Sequence, residues 1–365
     1  MIVQYDYQIF SYQNYGGISR YFYELIRRIK DRELADVHLS LKYSNNYYLK
    51  DADFARYSSF FEDKSFKGKV RLQSLINQLI GIKDFWREFD VFHPTYYNPY
   101  FLKHLHGRPY VLTIHDMIHE LYPEGFGNRN NTADYKRLLA QRATKIIAIS
   151  ENTKADVIKL LGVDEKKIDV VYHGSSFKAH LEDLKTVETP GKYILFVGDR
   201  EKYKNFKRFL KASCKLLKED EGLFLICAGS RPFNPEEVAL IEELDLKEKV
   251  LKYPAENDTL SYLYGHALAF VFPSLYEGFG FPILESMQCG CPAIISNTSC
   301  FPEVGGDAAA YFDPFDEQNI SDTIKEVIYN SDKRKHLIQT GYENVKRFTW
   351  DDTAGKTLKV YESCL

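Results

Sequence analysis

Phe272-Pro273-Ser274-Leu275-Tyr276-Glu277-Gly278-Phe279-Gly280-Phe281-Pro282-Ile283-Leu284-Glu285 is the stretch whose reading decides the fold. The apolar run Leu268 to Phe272 leads into it and predicts a buried strand. Pro282 suits the first position of a helix, where a missing N–H costs nothing. Between strand and helix, Gly278 and Gly280 allow a tight turn that can bring backbone N–H groups up to an anion at the helix N-terminus. Glu277 then falls in the turn and Glu285 about one turn into the helix, so the two carboxylates can address one ligand from different heights.

The same rhythm of short apolar strands and helical patterns runs through the whole chain. In the first half the predicted strands are Ile2–Tyr5, Val37–Leu41, Val91–His93, Tyr110–His115, Lys145–Ile149 and Asp169–Tyr172. In the second half they are Tyr193–Val197, Leu223–Ala228, Val250–Tyr253, Leu268–Phe272, Ala293–Ser296 and Ala309–Phe312. Strands apolar on both faces, alternating with amphipathic helices, mean parallel sheets covered by helices. The chain therefore reads as α/β, with two Rossmann-like, doubly wound parallel-sheet domains facing a cleft. Each would bind ligands outside the carboxyl ends of its strands. The expected domains are 1–175 and 190–348. The join is Tyr172-His173-Gly174-Ser175-Ser176 and the polar stretch to Thr189-Pro190-Gly191, with Gly174 supplying the freedom of a hinge.

A length of 365 residues suits two domains, and 27% charged with 44% hydrophobic residues is ordinary for a globular protein. A net charge of −3 argues against a nucleic-acid partner. Aromatics reach 15%, with 27 Tyr, and read as core filling ahead of sugar-stacking platforms. No apolar run is long enough to span a bilayer, and Met1-Ile2-Val3-Gln4-Tyr5-Asp6 reads as a first strand, not a signal peptide. A cytoplasmic protein is expected. The six cysteines match no zinc spacing and read as free thiols, with Cys289-x-Cys291 placed for packing. The stretch 64–87 stands apart, with six basic residues against the single acid Asp84. Leu72, Leu75, Ile76, Leu79 and Ile80 fall there at helical spacing. Two readings stand: a basic amphipathic helix lying peripherally on an anionic membrane surface, or a domain helix with its apolar face in the core.

Several strand ends carry residues suited to handling a diphosphate. Gly198-Asp199-Arg200-Glu201-Lys202-Tyr203-Lys204-Asn205 follows a predicted strand and leads into a helix, so its cations can meet a phosphate as fixed charges. The one Asp-x-Asp, Asp51-Ala52-Asp53, follows no clear strand end and reads as a solvated loop, so no metal is assigned. Gly16 and Gly17 let a loop approach a ligand closely, though no dinucleotide fingerprint surrounds them. Arg20 reaches either a phosphate or acceptor, or a surface salt bridge. His115, beside Asp116, ends a buried strand, while His93 and His119 read as packing or loop residues and Ser150 as a helix cap.

Together these motifs resemble the retaining, nucleotide-sugar-dependent glycosyltransferases of the GT-B fold, in the large family numbered four. The resemblance runs from Gly16-Gly17 to Phe348-Thr349-Trp350 and includes the two glutamates of the E-x7-E signature. It implies that Glu277 lies by the donor sugar and that Glu285 accepts hydrogen bonds from the ribose hydroxyls. Gly278, Phe279, Gly280 and Phe281 would offer backbone N–H groups, and Gly16 and Gly17 would close on the donor. His115 would contact the donor sugar. Lys204, in the Lys-Asn step, would grip the diphosphate beside Gly198, with Arg200 as its basic partner and Lys202 as the substitute, since Tyr203 stands where relatives carry arginine. Pro302-Glu303-Val304 matches a step that starts a short helix below the donor site. The final helix, 350–365, would pack back on the N-terminal domain.

The implied co-substrate is a GDP- or UDP-sugar, leaning to the GDP-mannose type, with no cofactor or metal. The implied acceptor is a glycan or lipid-linked saccharide of surface-polysaccharide synthesis. The rivals are an epimerase or phosphorylase of the same fold, and a non-catalytic binding subunit.

Overall fold

The structure is a computed structural model that describes residues 1–365 except 63, 65, 127–130, 176, 178–186, 201 and 230, and the side chains of 51 and 257. Ser176 and most of the polar join therefore lie outside the described residues. The chain forms two compact units, one of residues 1–174 with 349–365 and one of residues 175–348.

The second unit holds six strands: β7 (Lys192–Val197), β8 (Leu223–Ala228), β9 (Val250–Tyr253), β10 (Ala269–Phe272), β11 (Ala293–Ser296) and β12 (Ala309–Phe312). They pair in the order β12-β11-β10-β7-β8-β9, all parallel. Phe196, Leu225, Val271 and Ile294 are fully buried in one apolar cluster with Phe209 and Leu217 of helix Phe206–Glu219 and Ile324 of helix Glu317–Ile328. That burial on both faces is why the strands read as continuous apolar runs. The chain lays β8 and β9 on one side of β7, then returns to lay β10, β11 and β12 on the other. The order reverses between β7 and β10, and a doubly wound sheet opens its ligand crevice beyond the carboxyl ends of two such strands.

The first unit holds β1 (Ile2–Tyr5), β2 (Asp36–Leu39), β3 (Val91–His93), β4 (Val111–Ile114), β5 (Lys145–Ala148) and β6 (Ile168–Val170). A single sheet is expected from sequence, but two three-stranded ladders are found, β2-β1-β3 and β4-β5-β6, joined by one parallel bridge, Phe92 to Tyr110. Phe92 N–H donates to the Pro109 carbonyl at 3.1 Å. Proline has no N–H to return, and β3 is only three residues long, so the β3–β4 pairing stops there. The order turns at β1 and β3, which makes their carboxyl ends the ligand edge of this unit.

The last helix, Trp350–Glu362, belongs to the first unit and packs on helix Gly17–Asp31. Asp351 pairs with Arg28 at 3.3 Å and with Arg32 at 2.5 Å. Tyr361 lies deeper, its hydroxyl 2.8 Å from that of Tyr5 and 2.6 Å from His93 Nδ1. Gly174 plays a part other than the expected hinge freedom. A Cβ there would come within 2.2 Å of the Trp350 backbone nitrogen, so glycine is required for close approach of two chain segments.

Helix Lys69–Asp84 is turned inside out. Its buried stripe is Gln73, Asn77, Gly81 and Asp84. Asn77 accepts from the backbone N–H groups of Lys42 and Tyr43 and donates to Ser11 Oγ, which satisfies its amide inside the unit. The outward face carries Leu75, 52% exposed, Leu79, 58% exposed, and, just past the helix, Trp86 at 83%. Of the two readings of 64–87, the core-facing one fails because backbone carbonyls and amides of the neighbouring loop demand polar partners. No helix among the described residues is long and apolar enough to cross a membrane.

Candidate active site

In the second unit, the turns after β7 and β10 meet at the reversal of strand order. Leu275 N–H donates to the Tyr203 carbonyl at 2.7 Å, which ties one turn to the other. Above that tie, Lys204 Nζ donates to Glu277 Oε1 at 2.5 Å, with the two side chains 15% and 12% exposed. Burial works against the ammonium, but Glu277, Tyr203 and the hydrogen bond outweigh it and hold the Lys204 pKa above its ordinary value. The lysine is a fixed cation, flanked by the rings of Tyr203 and Phe272 at 5.2 and 5.6 Å. Glu277 is held by its backbone: its N–H donates to Ser299 Oγ at 3.2 Å, and Ser299 Oγ–H donates to its carbonyl at 2.8 Å.

Gly280 opens helix Phe281–Gln288 at φ +87°, a left-handed conformation that favours glycine. A Cβ there would also lie 3.1 Å from Ile283 Cδ1. Gly198, at φ +122°, ends β7 in the same way. Gly278 sits between Glu277 and Phe279, whose buried ring packs on Phe348 at 5.7 Å, while Phe281 is half-buried. Phe279 thus leaves its backbone for the turn and its ring for the core. Glu285, on the helix, is buried close to the Tyr264 phenol, whose pKa is driven far up by burial and then by the Glu285 charge.

Arg200 stands apart from this pair. It donates to Glu237 Oε2 at 3.1 Å, both side chains 3% exposed, and to the carbonyls of Arg231 and Pro232. Its guanidinium lies over the Phe233 ring at 4.7 Å. Glu237 in turn closes the capping box on Asn234 at the start of helix Pro235–Glu243. Arg200 holds that helix start through Nε and Nη2, while its Nη1 is buried with no hydrogen-bond partner among the described residues. Lys202 is exposed.

In the first unit, Gly16 precedes helix Gly17–Asp31 in an extended conformation. A Cβ there would fall 2.5 Å from Gln13 Oε1, the atom that accepts from Ser19 N–H and satisfies the helix start. Gly17, the first residue of that helix, is exposed. His115 follows β4. Burial, opposed by Asp116 and aided by Lys136, holds its pKa down to about 4. Its imidazole is neutral at pH 7, its Nε2 is buried with no hydrogen-bond partner among the described residues, and its ring packs on Tyr21 at 5.2 Å. His93 is structural, bonded through Nε2 to Thr113 Oγ1 at 2.8 Å. Asp53 pairs on the surface with Lys30 at 2.7 Å. Ser150 caps its helix through Thr153 N–H at 3.0 Å.

Three supporting residues escaped the sequence reading. Ser299 braces a backbone 22 positions upstream, and only its polar loop after a strand was legible. Tyr203 works through its carbonyl, which no motif reports. Lys136 is fully buried, donates to Glu120 Oε2 at 2.9 Å and to the Asp116 carbonyl at 2.8 Å, and holds the loop that follows His115.

Residues 178–344 match the family described as "Glycosyl transferases group 1", and residues 15–176 match "Glycosyltransferase Family 4". The chain is 27% identical to the O-antigen chain mannosyltransferase B of Escherichia coli, over 95% of this chain and 96% of that protein. It is 30% identical to the N-acetylgalactosamine-N,N'-diacetylbacillosaminyl-diphospho-undecaprenol 4-alpha-N-acetylgalactosaminyltransferase of Campylobacter jejuni, over 44% of this chain and 43% of that protein. The crystal structure of Anabaena Alr3699/HepE in complex with UDP and glucose aligns at a TM-score of 0.74 and 19% identity, covering 99% of each chain, a likeness of fold.

Proposed function

We propose that this chain, which belongs to the group 1 glycosyltransferases of family 4 and has the GT-B fold, is a retaining, metal-independent hexosyltransferase in surface-polysaccharide synthesis. Its donor would be a GDP- or UDP-sugar, with GDP-mannose favoured in line with the mannosyltransferase from E. coli. Its acceptor would be a hydroxyl of a glycan or lipid-linked saccharide, a class to which the diphospho-undecaprenol substrate in the C. jejuni protein's name belongs.

The observation that carries this reading is the Lys204–Glu277 pair at the strand-order reversal. A diphosphate seated there meets a fixed cation and the N–H groups of the Gly278–Phe281 turn, which stabilise the negative charge that grows as the donor's C1–O bond breaks. Glu285 holds the ribose. Glu277 lies by the sugar, where its carboxylate favours the positive charge that develops on the ring. The acceptor oxygen forms its bond to C1 on the face the phosphate leaves. Its proton passes to the departing phosphate oxygen, so no protein base is needed for that step. His115, neutral at pH 7, accepts a hydrogen bond from a donor-sugar hydroxyl. The outward apolar face of helix Lys69–Asp84, with its basic flanks, gives the protein a peripheral hold on the inner face of the membrane.

A thermal-shift screen with UDP, GDP, ADP and TDP and their sugars, with and without EDTA, tests the donor assignment. A ligand at a hundred times its Kd stabilises by about 2.7 kcal/mol. One nucleotide series shifting in EDTA, and failing to shift Glu285→Ala, is expected. A shift that needs a divalent cation contradicts metal independence, and no shift with any nucleotide contradicts the donor site.

A further inference from the structure

The first unit contains a cavity of about 1070 Å³ that the transfer reaction described above does not use. Its lining includes the start of helix Lys69–Asp84, and among the described lining residues Lys64, Lys69 and Arg71 stand against one acid, Glu62. The lining also includes Asn14, between helix Gln8–Tyr12 and Gly16, and Asn98, in the loop after β3. The Asn98 loop leaves the carboxyl end of β3, and helix Gln8–Tyr12 carries the chain from the carboxyl end of β1 to Asn14, both on the ligand edge of this sheet. The cavity therefore joins the ligand edge to the inside-out helix.

Its charge calls for an anion. Lys69 Nζ donates to the carbonyls of Phe61 and Lys64, which fixes the ammonium in place without neutralising it. Lys64 and Arg71 form no ion pair among the described residues. The first turn of the helix holds Lys69 and Arg71 and no acid, so two cations sit at the positive end of the helix dipole, the reverse of the stabilising arrangement. Beside the cavity, Leu72, Leu75 and Leu79 face outward and Trp86 follows them, a surface suited to hydrocarbon. A cationic cavity bordered by an apolar strip fits a ligand with a highly charged head and a long apolar tail.

We propose that this cavity binds the diphosphate of a polyprenyl-diphosphate-linked acceptor, with the helix's outward apolar face in the bilayer and the saccharide directed toward the loops after β1 and β3. The inference rests on the lipid-linked acceptor reading above and adds the site that would hold it.

The test is flotation with three kinds of vesicle: phosphatidylcholine alone, the same doped with phosphatidylglycerol, and the same doped with undecaprenyl diphosphate to matched charge. The intact chain is expected to bind the diphosphate vesicles about tenfold more tightly than the phosphatidylglycerol ones, a difference of about 1.4 kcal/mol. Lys64→Ala/Arg71→Ala is expected to erase that preference. Leu75→Ser/Leu79→Ser is expected to weaken binding to both charged vesicles alike. All four positions are exposed, so neither variant disturbs a core. Equal binding to the two charged vesicles, binding to neither, or a preference that survives Lys64→Ala/Arg71→Ala overturns the proposal. Nucleotide-induced thermal shift is read on the same samples. A normal shift without lipid preference defeats this inference alone, whereas loss of the nucleotide shift in the intact chain defeats the transferase reading.

Discussion

Replacing Lys204 by methionine leaves Glu277 with no counter-charge at a position only 12% exposed. Breaking a buried ion pair from one side costs about 3–5 kcal/mol, because a lone charge remains. Some water reaches both groups, which brings the expected loss to the lower end, about 3 kcal/mol. Lys204→Met/Glu277→Gln removes both charges and should be more stable than Lys204→Met alone, with a coupling of about 0.5–3 kcal/mol. Ligand binding separates this structural part from the functional one. If Lys204 grips the diphosphate, its loss removes a charge-assisted contact of about 1.5–3 kcal/mol, or roughly ten- to a hundredfold in Kd. Glu277→Gln keeps the lysine and removes its competitor, so the nucleoside diphosphate should bind at least as tightly as to the intact chain while sugar transfer falls. Urea denaturation gives the stabilities, and isothermal titration with the nucleoside diphosphate gives the affinities. An unchanged Kd in Lys204→Met, or a loss of binding in Glu277→Gln equal to that in Lys204→Met, refutes the division of labour.

His115 takes its proton at about pH 4 in the folded chain but near pH 6.5 when unfolded. Across that window the unfolded state binds more protons, so stability rises with pH and is lost as pH falls from about 6.5 to about 4, by about 3 kcal/mol for this residue. His93, held down to about 3, acts in the same direction. Unfolding free energies measured through this window should show a slope that His115→Gln reduces, and an unchanged slope contradicts the buried neutral imidazole. Arg200→Ala strands the buried carboxylate of Glu237 and should destabilise by about 3–5 kcal/mol, yet leave nucleotide affinity of the folded fraction unchanged. A large rise in nucleotide Kd would instead return Arg200 to the diphosphate. Gly174→Ala drives a methyl into the Trp350 backbone and should cost at least about 1–3 kcal/mol, read as a lowered Tm. An unchanged Tm would mean the two segments separate freely.

The central strands were legible because they are buried on both faces. Ile2–Tyr5, Leu223–Ala228 and Ala293–Ser296 read as apolar runs and lie where those runs place them. The break between β3 and β4 was carried by Pro109, one missing donor in a short ladder, and short-range pattern does not report it. The turn bearing Glu277 was legible from Gly278, Gly280 and Pro282 because backbone conformation constrains residue type there. The contact of Arg200 with Glu237 was not legible, because a cation near a phosphate and a cation near a capping glutamate look alike in sequence and Glu237 lies 37 positions on. Helix Lys69–Asp84 shows the same limit. Its leucine spacing reported an apolar face, but the side facing inward is set by Asn77 and the loop backbone it satisfies.

The most direct test of the central claim is transfer itself. The purified chain is incubated in EDTA with GDP-mannose, and in parallel with UDP-sugars, together with undecaprenyl-diphosphate-linked saccharide in vesicles, and the product is examined by NMR. The account predicts release of a nucleoside diphosphate matched by a new glycosidic bond of the same anomeric configuration as the donor, abolished in Lys204→Met. A product of inverted configuration contradicts the front-face mechanism. No glycosidic product from any nucleotide sugar, with nucleotide binding intact, contradicts the assignment of this site to sugar transfer.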